Sequence, residues 1–320
     1  MSSLVGFQSR RCGGRMSWRP RWMGAVLLLL LIVAPATAAD SQSRLPSRVL
    51  ITNDNGIDDP KTHALALAFA RAGVETWLVA SSSDRSGTSN WLEATRTGTY
   101  RTWEVQIGGG VRAYALDGTP ADCVIFALTG PLAANPPDLV ISGINGGANA
   151  GDDWFGSGTI GAVRTGTYFG VPGIAVSGLV SDDPHDHGFV ADWVVGLSAS
   201  AMASEMEAPQ YLTISLPEIP PMEIAGVEIV SRARGRIVGE TALADTDGDR
   251  QTWSLRIRQS ERSPMSDSDV AALARRNIAI VPRSVDELDA DRLQAWRQNP
   301  LRPQWRTMAR ADQQRTQSSR

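Results

Sequence analysis

The chain has 320 residues, of which 42% are hydrophobic, and a formal net charge of −3. That is enough apolar material to bury a sizeable core in one large domain or two small ones. The acidic balance argues against binding to nucleic-acid duplexes, which rests on cationic contacts to phosphate.

The N-terminus reads as a leader. Arg10, Arg11, Arg15, Arg19 and Arg21 precede the apolar run Met23 to Ala34, and Ala36-Thr37-Ala38 offers a small-x-small cleavage site. This is the layout of a secretory signal peptide, so residues 1–38 are expected to be removed and the mature chain exported, to the periplasm or beyond. The apolar run, about 12 residues, is too short to span a bilayer of roughly 30 Å, and no membrane association is expected once it is gone. Removal takes five arginines and no acid, which moves the formal charge from −3 to −8. It also takes Cys12, leaving Cys123 as the only thiol and no intrachain disulfide.

From residue 39 to about 230 the pattern alternates short apolar strands with helices. Arg48–Thr52 reads as a strand, Lys61–Ala72 as a helix capped near Gly73, and Glu75–Ala80, Asp138–Ser142 and Gly173–Ser177 as further strands. Continuous apolar strands separated by helices predict a Rossmann-like three-layer α/β/α domain with a mainly parallel sheet. Ligands of such sheets bind beyond the carboxyl ends of the strands.

The character changes at Ser231. Trp253–Arg258 reads as one arm of a hairpin and Ala242–Arg250 as its turn, with Ser266–Arg276 helical, Ile278–Val281 extended and Asp286–Trp296 helical. Residues 231–296 are thus expected to complete the domain as a hairpin and C-terminal extension used for oligomerisation. Asp245, Asp247 and Asp249 resemble part of a calcium loop, but no glutamate stands at its twelfth position, and a solvated turn is the simpler reading. The Arg-rich tail 297–320 is expected to be disordered.

Four polar stretches follow predicted strands or open a predicted helix: TNDNG at Thr52–Gly56, SSSDRSGTSN at Ser81–Asn90, SGINGGANAGDD at Ser142–Asp153 and GSGTIGA at Gly156–Ala162. Asp54 in the first, with Asp58 and Asp59 close behind it, suits a hard cation. The third is too rich in glycine and asparagine for a regular element. The fourth presents the backbone N–H groups of a helix start to an anion. A cation and an anion cradle together are what phosphoryl hydrolysis requires. Thr119, Pro120 and Asp122 read as the N-cap, first and third positions of a helix, with Cys123 a core thiol. His185-Asp186-His187 reads as a polar loop rather than a metal site, and Trp154 and Phe155 either stack on a base or pack in a core or interface.

In order and spacing, NDNG, RSGTSN, DGTPADC, SGINGGANAGDD and SGT resemble the motifs of the SurE family of metal-dependent 5′/3′-nucleotidases and acid phosphatases, over about Arg48 to Pro217. The resemblance implies one divalent metal per subunit, Mg²⁺, Mn²⁺ or Ca²⁺, on Asp54, Asn55, Ser86 and Asn145. It implies a phosphate-contacting region at Asn149, Ser157, Gly158 and Thr159, with Asp54, Asn145, Ser157 and Thr159 catalytic. The implied substrate is a small phosphate ester such as a nucleotide, and the implied assembly a homodimer or homotetramer. Three positions depart from the family. Asn55 stands where it has a second aspartate, Gly156 where it has a tyrosine, and Thr165 near where it has a glutamate. The first change leaves open a phosphate- or nucleotide-binding protein with weakened or lost turnover. NDNGIDD also resembles the calcium-binding stretch of nucleoside hydrolases, which would use Asp54, Asp58 and Asp59.

Overall fold

The computed structural model describes residues 44–93, 98–234, 236–260 and 265–286. The leader, the helix expected beyond Asp286 and the Arg-rich tail lie outside them.

Strand β1 (Arg48–Thr52) is paired in parallel with β2 (Glu75–Ser81) on one side and β5 (Leu139–Asn145) on the other. Beyond β2 come β4 (Arg112–Leu116), parallel, and the edge strand β3 (Thr102–Val105), antiparallel. Beyond β5 come β6 (Gly173–Ser177) and β7 (Gln210–Ser215), both parallel, then β11 (Asn277–Ser284), antiparallel to β7, and the edge strand β8 (Gly226–Ile229). The nine-stranded order is β3-β4-β2-β1-β5-β6-β7-β11-β8.

Helices cover both faces. Val49 and Ile51 of β1 pack with Leu65 and Phe69 of α1 (Pro60–Arg71) and Val190 and Val194 of α4 (Pro184–Ala203). Leu50, pointing the other way, packs with Cys123 and Val124 of α2 (Pro120–Thr129) and Ala162 of α3 (Gly158–Tyr168). Alternate residues of one strand therefore enter two cores, which is why β1 is apolar without interruption. The chain leaves β1 toward β2 and β4 and returns on the far side at β5. The order reverses between β1 and β5, the crevice where open α/β sheets hold ligands.

Thr119 caps α2 in a full capping box with Asp122, as its sequence predicts. Several expectations need correction. His185 and His187 lie not in a loop but in the first turn of the 20-residue helix α4, where His187 is buried with its Nε2 2.9 Å from the Ser181 carbonyl oxygen. The hairpin turn is far shorter than Ala242–Arg250. Strand β9 (Arg236–Asp247) runs on to Asp247, which pairs with Arg250, the first residue of β10 (Arg250–Ser260). Asp245 and Asp247 therefore sit on an extended strand. Helix α5 (Asp269–Ala274) fills only part of Ser266–Arg276. Strands β3, β4 and β7 and helix α4 have no counterpart in the sequence reading. Among the described residues no helix is long and apolar enough to cross a membrane.

Candidate functional site

The site starts from the turn that ends β1. Asn53 is buried, and its Nδ2 donates to the Gly56 carbonyl at 2.8 Å and to Thr62 Oγ1 at 2.7 Å. Gly56 has φ +108°, and a Cβ there would lie 3.1 Å from the Ser83 carbonyl carbon. The turn is closed by Asn53 and pressed against the loop after β2, so the next side chain, Asp54, is aimed at α3.

Asp54 is 3% exposed. Its carboxylate accepts the Thr159 N–H at 3.0 Å and the Thr159 hydroxyl at 2.7 Å. A Cβ on Gly158 would lie 2.8 Å from the Asp54 Cβ, so only glycine lets the carboxylate approach the first turn of α3 this closely. Burial raises the Asp54 pKa above the ordinary carboxylate value, the two Thr159 bonds oppose that rise, and the Asp84 charge adds to it. No cation among the described residues offsets the buried charge.

Three other segments reach the same crevice. The Arg85 N–H donates to the Asp54 carbonyl at 2.7 Å, which sets Ser86 beside the β1 turn, exposed, with its own N–H on Asp84 Oδ1 at 2.8 Å. Asn145 ends β5 and turns its Nδ2 to the Gly147 carbonyl at 2.7 Å, which directs its Oδ1 the other way. Asn149 gives its N–H to Ser177 Oγ at 3.0 Å, while its Nδ2 is buried without a partner. Ser157 caps α3, accepting the Ile160 N–H at 3.1 Å. Thr52 and Ser142, register partners on β1 and β5, are fully buried with both hydroxyls unpartnered. Asn55 is half-buried next to Asp54.

The donors offered, one carboxylate, two amide oxygens and a hydroxyl, are hard oxygen ligands of the kind Mg²⁺, Mn²⁺ and Ca²⁺ take. Together with an uncompensated buried carboxylate they fit such a cation. Among the described residues no group of three or more His, Cys, Asp or Glu is placed to hold a metal. Asn55 is part of the reason, since it puts an amide where a second acid would make the site more anionic.

Asp59 is the N-cap of α1, accepting the Thr62 N–H at 3.0 Å. Its Oδ2 also accepts the Thr62 hydroxyl at 2.6 Å, so the carboxylate is taken up by the cap of α1. Cys123 is buried with its Sγ 3.9 Å from Ser81 Oγ, and burial pushes the thiol up, so it is inert. Sequence reasoning missed the residues that hold the loops. Asn90 donates to the Gly161 carbonyl at 2.7 Å and to Thr165 Oγ1 at 3.0 Å, and Glu218 accepts the Ala148 N–H at 3.0 Å. Asn90 lies inside a motif and was findable there; Glu218 carries no local signal.

The fold and this crevice define a class: a doubly wound α/β protein with an oxygen-lined site at the topological switch point. The model of the family described as "Survival protein SurE" matches residues 49–238. The chain is 36% identical over 242 residues to a protein named 5′-nucleotidase SurE from Xanthomonas campestris pv. campestris, covering 75% of this chain and 90% of that one. It is 30% identical to 5′-nucleotidase SurE 1 from Burkholderia lata, covering 73% and 89%. The crystal structure of a SurE protein from Aquifex aeolicus has the same fold, with a TM-score of 0.64 at 23% identity over 78% of this chain and 97% of that one. The chain belongs to the SurE family.

Proposed function

We propose that the chain is a metal-dependent phosphomonoesterase that hydrolyses nucleoside monophosphates or similar small phosphate esters. The observation that carries this reading is Asp54: a buried carboxylate with no cationic partner, held against the N-terminus of α3 where the strand order reverses. The names of the relatives, 5′-nucleotidase, support the substrate class.

Asp54, Ser86 and Asn145, with Asn55 as a weaker fourth ligand, would hold one divalent cation per subunit. That cation would supply Lewis-acid polarisation of a phosphoryl oxygen and a lowered pKa for bound water. Thr159 hydrogen-bonds both Asp54 oxygens, which supports Asp54 as an oriented ligand, with water in the attacking role in this reading. The start of α3 around Gly158 and the Asn149 amide receive the phosphate oxygens, the helix dipole favouring the negative charge. Ser157 caps that end of the helix by accepting the Ile160 N–H, and Asp54 takes the Thr159 N–H beside it.

Asn55 favours a second reading, a nucleotide-binding protein with reduced turnover, because an amide ligand brings no charge to the cation. One experiment separates them: hydrolysis of an aryl phosphate with Mn²⁺ or Mg²⁺ by wild type, Asp54→Ala and Asn55→Asp. The enzyme reading expects wild-type turnover and at least about 100-fold loss in Asp54→Ala. Wild-type inactivity rescued by Asn55→Asp would establish the second reading, and full activity in Asp54→Ala would sink the site. Export belongs to the same proposal, and the mass of the N-terminus recovered from the cell envelope checks it.

A further inference from the structure

The turn that follows Asn149 is held from far along the chain. Asp269, the first residue of α5, is 4% exposed. Its Oδ2 accepts the Gly151 N–H at 2.8 Å, and its Oδ1 accepts the N–H groups of Ala233 and Val270, each at 2.8 Å. One carboxylate thus joins three segments: the turn after Asn149, the foot of the β9–β10 hairpin, and α5 itself. The foot is tied a second time. Arg232 ion-pairs with Asp152, and its guanidinium rides 5.7 Å from the Trp154 ring centre. Asp269 is anchored in turn, its own N–H donating to the Ser231 carbonyl at 2.9 Å.

Gly151 sits at φ +59°, at the start of the 3-10 turn Gly151–Phe155 that leads into the Ser157 cap. Two residues earlier, the Asn149 N–H is pinned on Ser177 and its Nδ2 is buried without a partner. Asn149 is therefore fixed from both sides, by Ser177 before it and by Asp269 after it. A carboxylate suits the second position because three N–H donors converge on it and only acceptors can answer them.

We infer that Asp269 is a positioning residue for this site: by clamping the Gly151 turn to the foot of the hairpin it sets where the Asn149 amide meets phosphate. The inference rests on the phosphate role proposed for Asn149. It also makes the hairpin foot, rather than the crevice alone, part of what shapes the site.

The test is the inhibition constant of inorganic phosphate, with kcat and KM on an aryl phosphate, for wild type, Asp269→Asn, Asn149→Ala and the double variant. Asparagine keeps the shape but replaces one acceptor with a donor. Asp269→Asn is expected to raise KM and the phosphate constant about tenfold, the size of one buried donor left unsatisfied, with a smaller change in kcat. In the Asn149→Ala background the same change should add less than about twofold, because residues acting through one contact are not additive. A full tenfold effect in both backgrounds overturns the inference, since a general loss of structure adds independently of Asn149. Weakened phosphate binding in Asn149→Ala with none in Asp269→Asn overturns the inference alone. Normal phosphate binding in Asn149→Ala overturns the phosphate role beneath it. Should Asp269→Asn melt below the assay temperature, Asp269→Ser, which leaves room for a water to take the same N–H groups, is read against the same criteria.

Discussion

Asp54 carries its charge where little solvates it. Burial raises its pKa, so the native state keeps the proton to higher pH than the unfolded chain does. The stability tied to the neutral form is present below the ordinary carboxylate range and is lost as pH rises through the raised native value. Without a cation, then, the ionised Asp54 weakens the fold at neutral pH. Asp54→Asn removes that cost and still fits, since its oxygen accepts the Thr159 N–H and its nitrogen donates to Thr159 Oγ1. In EDTA at neutral pH this variant is expected to melt above wild type, by roughly 2–4 °C for each kcal/mol relieved, with the gap closing as pH falls. A melting temperature at or below that of wild type at every pH would contradict it. Asp54 was legible in the sequence because it follows closely on a strand of buried residues. Its bond to Thr159 was not. Thr159 lies 105 residues away, and a hydrogen bond at that separation leaves no local pattern.

Elements were legible in proportion to how evenly they are buried. β1, β5 and β6 are buried almost throughout, and each shows as an apolar run. β3 is exposed along nearly its whole length and survives as an edge strand, which no apolar pattern announces. Helix α4 carries glycines at 188 and 196 and small residues on every side, so its buried stripe of Val190, Ala191 and Val194 is blurred. The hairpin turn was drawn too long because aspartates suggest turns, whereas Asp245 and Asp247 are paired strand residues on an exposed ribbon. Helix α3 offers a sharp test of packing against propensity. A Cβ at Gly161 would lie 2.0 Å from the Ser89 carbonyl oxygen, so the loop bearing Ser86 rests directly on the helix. Gly161→Ala gains about 1 kcal/mol in helix propensity. It is nonetheless expected to destabilise the protein by about 1–3 kcal/mol in a denaturant titration, because the loop must lift. Net stabilisation would show that the loop does not bear on α3.

At the scale of the whole molecule, the crevice is assembled from segments that the sheet order alone brings together. The pairing of β1 with β5 brings the ends of these strands, which carry Asp54 and Asn145, to the same edge of the sheet, the loop after β2 brings Ser86, and the start of α3 holds Asp54. The motifs made most of this readable, since each lies at the end of a strand or the start of a helix. The C-terminal supports, Glu218 and Asp269, were not readable, because their partners are backbone N–H groups that any residue could supply. The β9–β10 ribbon exposes Leu243, Trp253 and Leu255, with Trp253 and Leu243 paired across it. The central claim is that the crevice hydrolyses nucleotides when a divalent cation is bound. The most direct measurement is phosphate released from a nucleoside 5′-monophosphate by protein stripped with EDTA and then titrated with Mn²⁺. The account predicts no release before addition, and release that saturates at one cation per subunit. Release unchanged by EDTA, or none at any Mn²⁺ concentration, would contradict it.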